Sequence, residues 1–68
     1  MPLVIHLNGT ERPLDSPTTV AGLLRELGLS GKPVVIELDG QALTPAEHAT
    51  AEVNDGARIE VITLAAGG

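Results

Sequence analysis

Residues 18–29 read Thr-Thr-Val-Ala-Gly-Leu-Leu-Arg-Glu-Leu-Gly-Leu. Within them Val20, Leu23, Leu24 and Leu27 stand at i, i+3, i+4 and i+7, which draws a single apolar stripe down one side of a helix. Thr18 or Thr19 suits the start, because a threonine hydroxyl accepts a backbone N–H from the first turn. Gly28 suits the left-handed position that closes the helix, with Leu29 placed to fold back on the last turn. Gly22 inside the helix costs about 1 kcal/mol relative to alanine. Close packing against a sheet is the expected reason for it. The stripe is expected to supply half of a core whose other half comes from strands.

On the N-terminal side, Leu3, Ile5 and Leu7 alternate with Val4, His6 and Asn8, the period-two pattern of a strand. Asn8-Gly9 then predicts a hairpin, since a type I′ turn needs two residues that tolerate positive φ. Its second strand is expected from Thr10 to Leu14, and Pro13, which has no N–H to donate, places that strand at a sheet edge. On the C-terminal side, Pro33 to Leu38 is rich in β-branched residues and reads as a strand, followed by an Asp39-Gly40 turn and a short pairing segment, Gln41 to Leu43. Thr44-Pro45-Ala46-Glu47 has the form of a capping box with proline at the first helical position, which predicts one short helical turn. Asn54-Asp55-Gly56 turns the chain into a last strand, Arg58 to Leu64. Both faces of that strand are largely apolar, as in an interior strand. The order is strand, strand, helix, strand, short strand, strand, with a right-handed crossover laying the helix across one sheet face.

The sequence has 68 residues and is expected to form a single domain, residues 1–68. No Phe, Trp or Tyr is present, so the core is built from Leu, Val, Ile and Ala. Net stability of about 3–5 kcal/mol is expected at this size, and a deep active-site cleft is not. A formal charge of −5 argues against nucleic acid, whose phosphates demand clustered Lys and Arg, and favours a basic protein surface as partner. The absence of cysteine excludes disulfides, iron–sulfur clusters and thiol catalysis. With no apolar run of membrane-spanning length and no signal-peptide pattern, a cytoplasmic protein without a membrane partner is expected.

Ala65-Ala66-Gly67-Gly68 is expected to stand apart from the body as a small, bare and flexible tail. Glycine has no Cβ, so two in succession make a thin thread suited to a narrow channel in another protein. Four extended residues reach about 13 Å. They deliver the α-carboxylate of Gly68, a poor electrophile until a partner adenylates it. An adenylate at that position would make the chain an acyl carrier at its own end.

The Asn8-Gly9 hairpin, the Thr19-Val20-Ala21-Gly22-Leu23-Leu24 helix start, the Asn54-Asp55-Gly56 turn into Arg58-Ile59-Glu60-Val61 and the Gly67-Gly68 ending together resemble the ThiS family of sulfur carrier proteins. The resemblance implies an α+β fold of the β-grasp, ubiquitin-like type: a mixed sheet of four to five strands, first and last strands central and parallel, with one main helix across one face. It also implies that the chain is a protein cosubstrate rather than an enzyme. A ubiquitin-activating-type adenylyltransferase would spend ATP on Gly68, and sulfur from cysteine, through a desulfurase or sulfurtransferase, would convert the adenylate to a thiocarboxylate. Thiazole synthase would receive that sulfur for thiamin. Related carriers with the same ending serve molybdopterin synthesis, tRNA thiolation or protein conjugation. Many members show Asn-Gly and then Val-Pro-Arg-x-x-Trp where this chain has Asp39-Gly40 and Leu43-Thr44-Pro45-Ala46-Glu47-His48, which bears on the choice of partners.

No catalytic residue, bound cofactor or metal ligand is expected in the chain. His6 and His48 lack the third and fourth ligands that zinc requires. His6 is expected on the less apolar face of its strand and His48 on a loop surface, while Glu47 reads as a capping residue. Gly68 is the expected modified residue, with Gly67, Ala66 and Ala65 as the tail a partner grips. Leu64 and Arg58, at the ends of the last strand, are the candidates for partner docking, and Glu60 reads with Arg58 as a solvated or cross-strand charge.

Overall fold

The structure, a computed structural model, describes residues 2–64. In chain order the elements are β1 (Leu3–Leu7), β2 (Thr10–Leu14), β3 (Thr18–Thr19), α1 (Val20–Glu26), β4 (Val34–Leu38), β5 (Gln41–Leu43), a 3-10 turn (Pro45–Glu47), β6 (Glu52–Val53) and β7 (Arg58–Thr63). Five strands form one sheet in the order β2-β1-β7-β4-β5, and β3 with β6 forms a two-residue ladder beside the helix. β1 and β7 run parallel, with His6 beside Arg58 and Leu7 beside Ile59. The remaining pairs in the large sheet are antiparallel. This is the expected mixed sheet crossed by one helix, with Pro13 on the edge strand β2.

Both hairpins turn as their sequences demand. Asn8 and Gly9 have φ of 50° and 81°, and Asp39 and Gly40 have φ of 51° and 84°, the paired left-handed values of a type I′ turn. The helix begins at Thr19, whose hydroxyl accepts from the Gly22 N–H at 3.1 Å. It ends in a Schellman arrangement: Gly28 N–H donates to Arg25 C=O and Leu29 N–H to Leu24 C=O. The first-turn N–H groups of Val20 and Ala21, which have no partner within the helix, donate to Ala51 and His48 carbonyls at 2.9 and 2.8 Å. That contact draws the 3-10 turn against the helix, so His48 is half-buried rather than on a loop surface.

The core holds Leu3, Ile5, Leu14, Val20, Leu23, Leu24, Ile36, Val53, Ala57 and Ile59. Only three of these ten come from α1, fewer than the expected half, because the helix is seven residues long and offers barely two turns. Gly22 also differs from expectation. A Cβ there would overlap the Thr18 hydroxyl, so the close approach is to β3, not to the large sheet. Among the described residues, no helix is long and apolar enough to cross a membrane.

Candidate functional site

β7 lies in the middle of the sheet, between β1 and β4, and leads into residues 65–68. Its odd-numbered residues Ile59 and Val61 lie on the side of the core that α1 covers, and its even-numbered residues on the sheet face that no helix covers among the described residues. The strand is interior to the sheet, as its two apolar faces led one to expect, but only one of those faces is covered: Ile59 is fully buried, whereas Ile62 is 49% and Leu64 51% exposed. A single helix covers a single face, and the apolar residues on the other face remain in water.

That open face has a graded composition along β7. Near the tail, Ile62 stands directly across from Val35 of β4, itself 38% exposed, and Leu64 follows on the same side with its N–H donating to Pro33 C=O at 3.1 Å. One rung back, Glu60 stands directly opposite Glu37. Like charges in that relation repel. At the far end, Arg58 is exposed beside His6, and its N–H donates to Asp39 Oδ1 at 2.9 Å. Arg58 and Leu64 thus share the open face but stand at opposite ends of it, about 20 Å apart at roughly 3.3 Å per residue. Val35, Ile62 and the Glu37–Glu60 pair also stand on this face. Glu60 was expected as a solvated or cross-strand charge, whereas Val35, Ile62 and Glu37 were not singled out from sequence, although the alternation along β7 carries the signal. Gly68, Gly67, Ala66 and Ala65 lie outside the described residues.

Asn8 does more than turn the hairpin. Its Oδ1 accepts from Val61 N–H at 2.7 Å and its Nδ2 donates to Val61 C=O at 3.3 Å, across 53 positions of sequence. Asp55 Oδ1 similarly accepts from Val4 N–H at 2.8 Å. In the 3-10 turn, Glu47 Oε1 accepts from the Thr44 N–H at 2.7 Å and from its hydroxyl at 3.1 Å. These bonds hold the Glu47 carboxyl below its ordinary value, the Thr44 N–H contributing most and the hydroxyl next. Glu47 is thereby placed as a structural cap. His6 lies on the open face and His48 beside the helix start; among the described residues no three His, Asp or Glu side chains gather as metal ligands do. A shallow groove of about 500 Å³ is lined by Pro17, Thr18, Thr19, Gly22, Arg25 and Glu52, on the helix side of the sheet.

The model of the ThiS family matches residues 5–68, nearly the whole chain. The chain belongs to the ThiS family. It is similar in structure to the thiamine biosynthesis protein (ThiS) of Geobacter metallireducens, with a TM-score of 0.83 and 26% identity over 97% of this chain and 100% of that one. It is 37% identical over 68 residues to a protein named thiazole synthase from Paramagnetospirillum magneticum. That match takes in 100% of this chain and 20% of the relative, so the chain spans a fifth of the length of the curated relative it matches.

Proposed function

We propose that this carrier holds sulfur as a thiocarboxylate on Gly68 and gives it up for thiazole formation in thiamin synthesis. An adenylyltransferase of the ubiquitin-activating type joins the Gly68 carboxylate to AMP from ATP and releases pyrophosphate. Sulfur of cysteine origin, carried as a persulfide on a desulfurase or sulfurtransferase, attacks the acyl adenylate and expels AMP. A second thiol of a partner then cleaves the resulting acyl disulfide, leaving the thiocarboxylate on Gly68 and a disulfide on the partner. The chain itself supplies no catalytic group; its part is to present a thin, activatable acid and a face for its partners to hold. ATP and the sulfur donor belong to those partners.

The observation that carries this function is the family match running through Gly67 and Gly68, continuous with the central strand that leads to them. The thiazole synthase name of one relative and the thiamine biosynthesis name of the structural neighbour favour thiamin over the other acceptors. The open face supports the cosubstrate role. Ile62, Leu64 and Val35 offer apolar area beside the tail. The opposed Glu37 and Glu60 gain most when a partner's Lys or Arg sits between them, in keeping with the formal charge of −5.

The test is intact-mass analysis of the chain ending in a free Gly68 acid, incubated with its activating enzyme, ATP and a sulfur donor. The expected product has one oxygen exchanged for sulfur, and a chain lacking Gly68 gains nothing. ATP–pyrophosphate exchange that survives removal of Gly68 sinks the proposal. Accumulation of isopeptide conjugates with no thiocarboxylate assigns the chain to protein modification instead.

A further inference from the structure

Successive residues of β7 aim their backbone groups alternately at β4 and at β1. Arg58 exchanges bonds with Asp39, and Leu64 N–H donates to Pro33 C=O, so the even-numbered residues face the β4 side. The odd-numbered ones face β1, which follows β7 only as far as the Asn8 N–H on Ile59 C=O at 2.9 Å. There β1 turns away into its hairpin. Val61, the next rung, would be left with a bare N–H and a bare C=O on that side. The Asn8 carboxamide meets both, one atom donating and the other accepting, and so adds a rung that the backbone of β1 cannot reach.

We propose that Asn8 is a positioning residue for the reacting terminus: its carboxamide extends the paired length of β7 past the end of β1 and fixes where the tail leaves the sheet. The proposal rests on the function given above, in which Gly68 must be threaded into a partner. Without the clamp, β7 is held beyond Ile59 from the β4 side alone. The free thread is then longer and starts from a less certain place, which raises the entropy lost on engagement. Asn suits the position twice over, because it tolerates the left-handed backbone of the turn, φ 50° here, and carries a donor and an acceptor on one planar group. Aspartate keeps the turn and the bond to Val61 N–H but sets a carboxylate against Val61 C=O. Glycine keeps the turn and loses both bonds.

The test uses the full chain with Asn8→Gly and, should that variant fold poorly, Asn8→Asp. Amide hydrogen exchange is followed at Val61 and at Ile59, and steady-state adenylation is measured with the activating enzyme. Exchange at Val61 is expected to quicken by about tenfold for Asn8→Gly, as befits loss of two hydrogen bonds, with Ile59 little changed. The KM of the chain as substrate is expected to rise by about threefold or more with kcat held within about twofold. A general loss of stability would quicken Val61 and Ile59 together and leave KM alone while the chain stays folded. Unchanged exchange at Val61, or quickened exchange with wild-type KM, overturns the role of Asn8 alone. A wild-type chain that is not adenylated at all overturns the proposed function and this role with it.

Discussion

Ile36 and Ile62 stand on neighbouring strands of one sheet, and truncating each to alanine separates what the two sheet faces do. Ile36 is fully buried under α1, whereas Ile62 is 49% exposed on the open side. Isoleucine to alanine removes three carbons, and at about 0.8 kcal/mol for each buried methylene the transfer loss at Ile36 is about 2.4 kcal/mol. The void left in the core brings the total to about 3–4 kcal/mol. A domain of this size has about 3–5 kcal/mol to lose, so Ile36→Ala is expected to be largely unfolded at room temperature. At Ile62 half of the side chain is already in water and no void forms, so the same truncation costs about 1 kcal/mol. Urea titration followed by far-ultraviolet circular dichroism measures both, since the chain has no Trp or Tyr to report by fluorescence. With a slope of about 1 kcal/mol per molar urea, Ile62→Ala moves the midpoint by about 1 M and Ile36→Ala brings it near zero. Equal losses at the two positions would refute the single-covered-face architecture. A gap that closes as protein concentration rises would show the open face occupied by a second copy.

Acid should weaken the 3-10 turn through Glu47. Its folded pKa is lowered, so the stability it lends is complete above the ordinary carboxylate value and is lost as pH falls through the lowered one. Urea midpoints of wild type and Glu47→Gln are therefore expected to converge below that window, and parallel pH profiles would exclude the cap. Gly22→Ala should depend on Thr18: in a Thr18→Ala background the alanine is expected to stabilise by about 1 kcal/mol through helix propensity. With Thr18 intact, overlap with its hydroxyl removes that gain, and thermal melts of the four chains decide between coupling and simple additivity.

The main elements were legible in sequence because each obeys a local rule. The stripe Val20, Leu23, Leu24, Leu27 marks a helix wherever it packs, and Asn8-Gly9 and Asp39-Gly40 make type I′ turns whatever surrounds them. The ladder of Thr18–Thr19 with Glu52–Val53 is too short to show a period, and its buried Val53 reads locally as one apolar residue in a loop. The alternation from Arg58 to Leu64 discloses two apolar faces but not which of them is covered. That depends on the number of helices, and one helix leaves Ile62 and Leu64 in water. The second task of Asn8 was out of reach for a different reason: its partner Val61 is 53 residues away, and the bonds exist only once β1 and β7 lie side by side.

The parallel alignment of β1 and β7 settles which end of the molecule is safe to burden. Val4 lies beside Gly56, its C=O accepting from that N–H at 2.8 Å, and Leu64 is eight residues further along. At roughly 3.3 Å per residue the two ends of the sheet are about 26 Å apart. A dye, affinity handle or surface tether attached ahead of β1 therefore sits a full strand length from Leu64, and an immobilised chain would turn the Leu64 end of the sheet outward into solution.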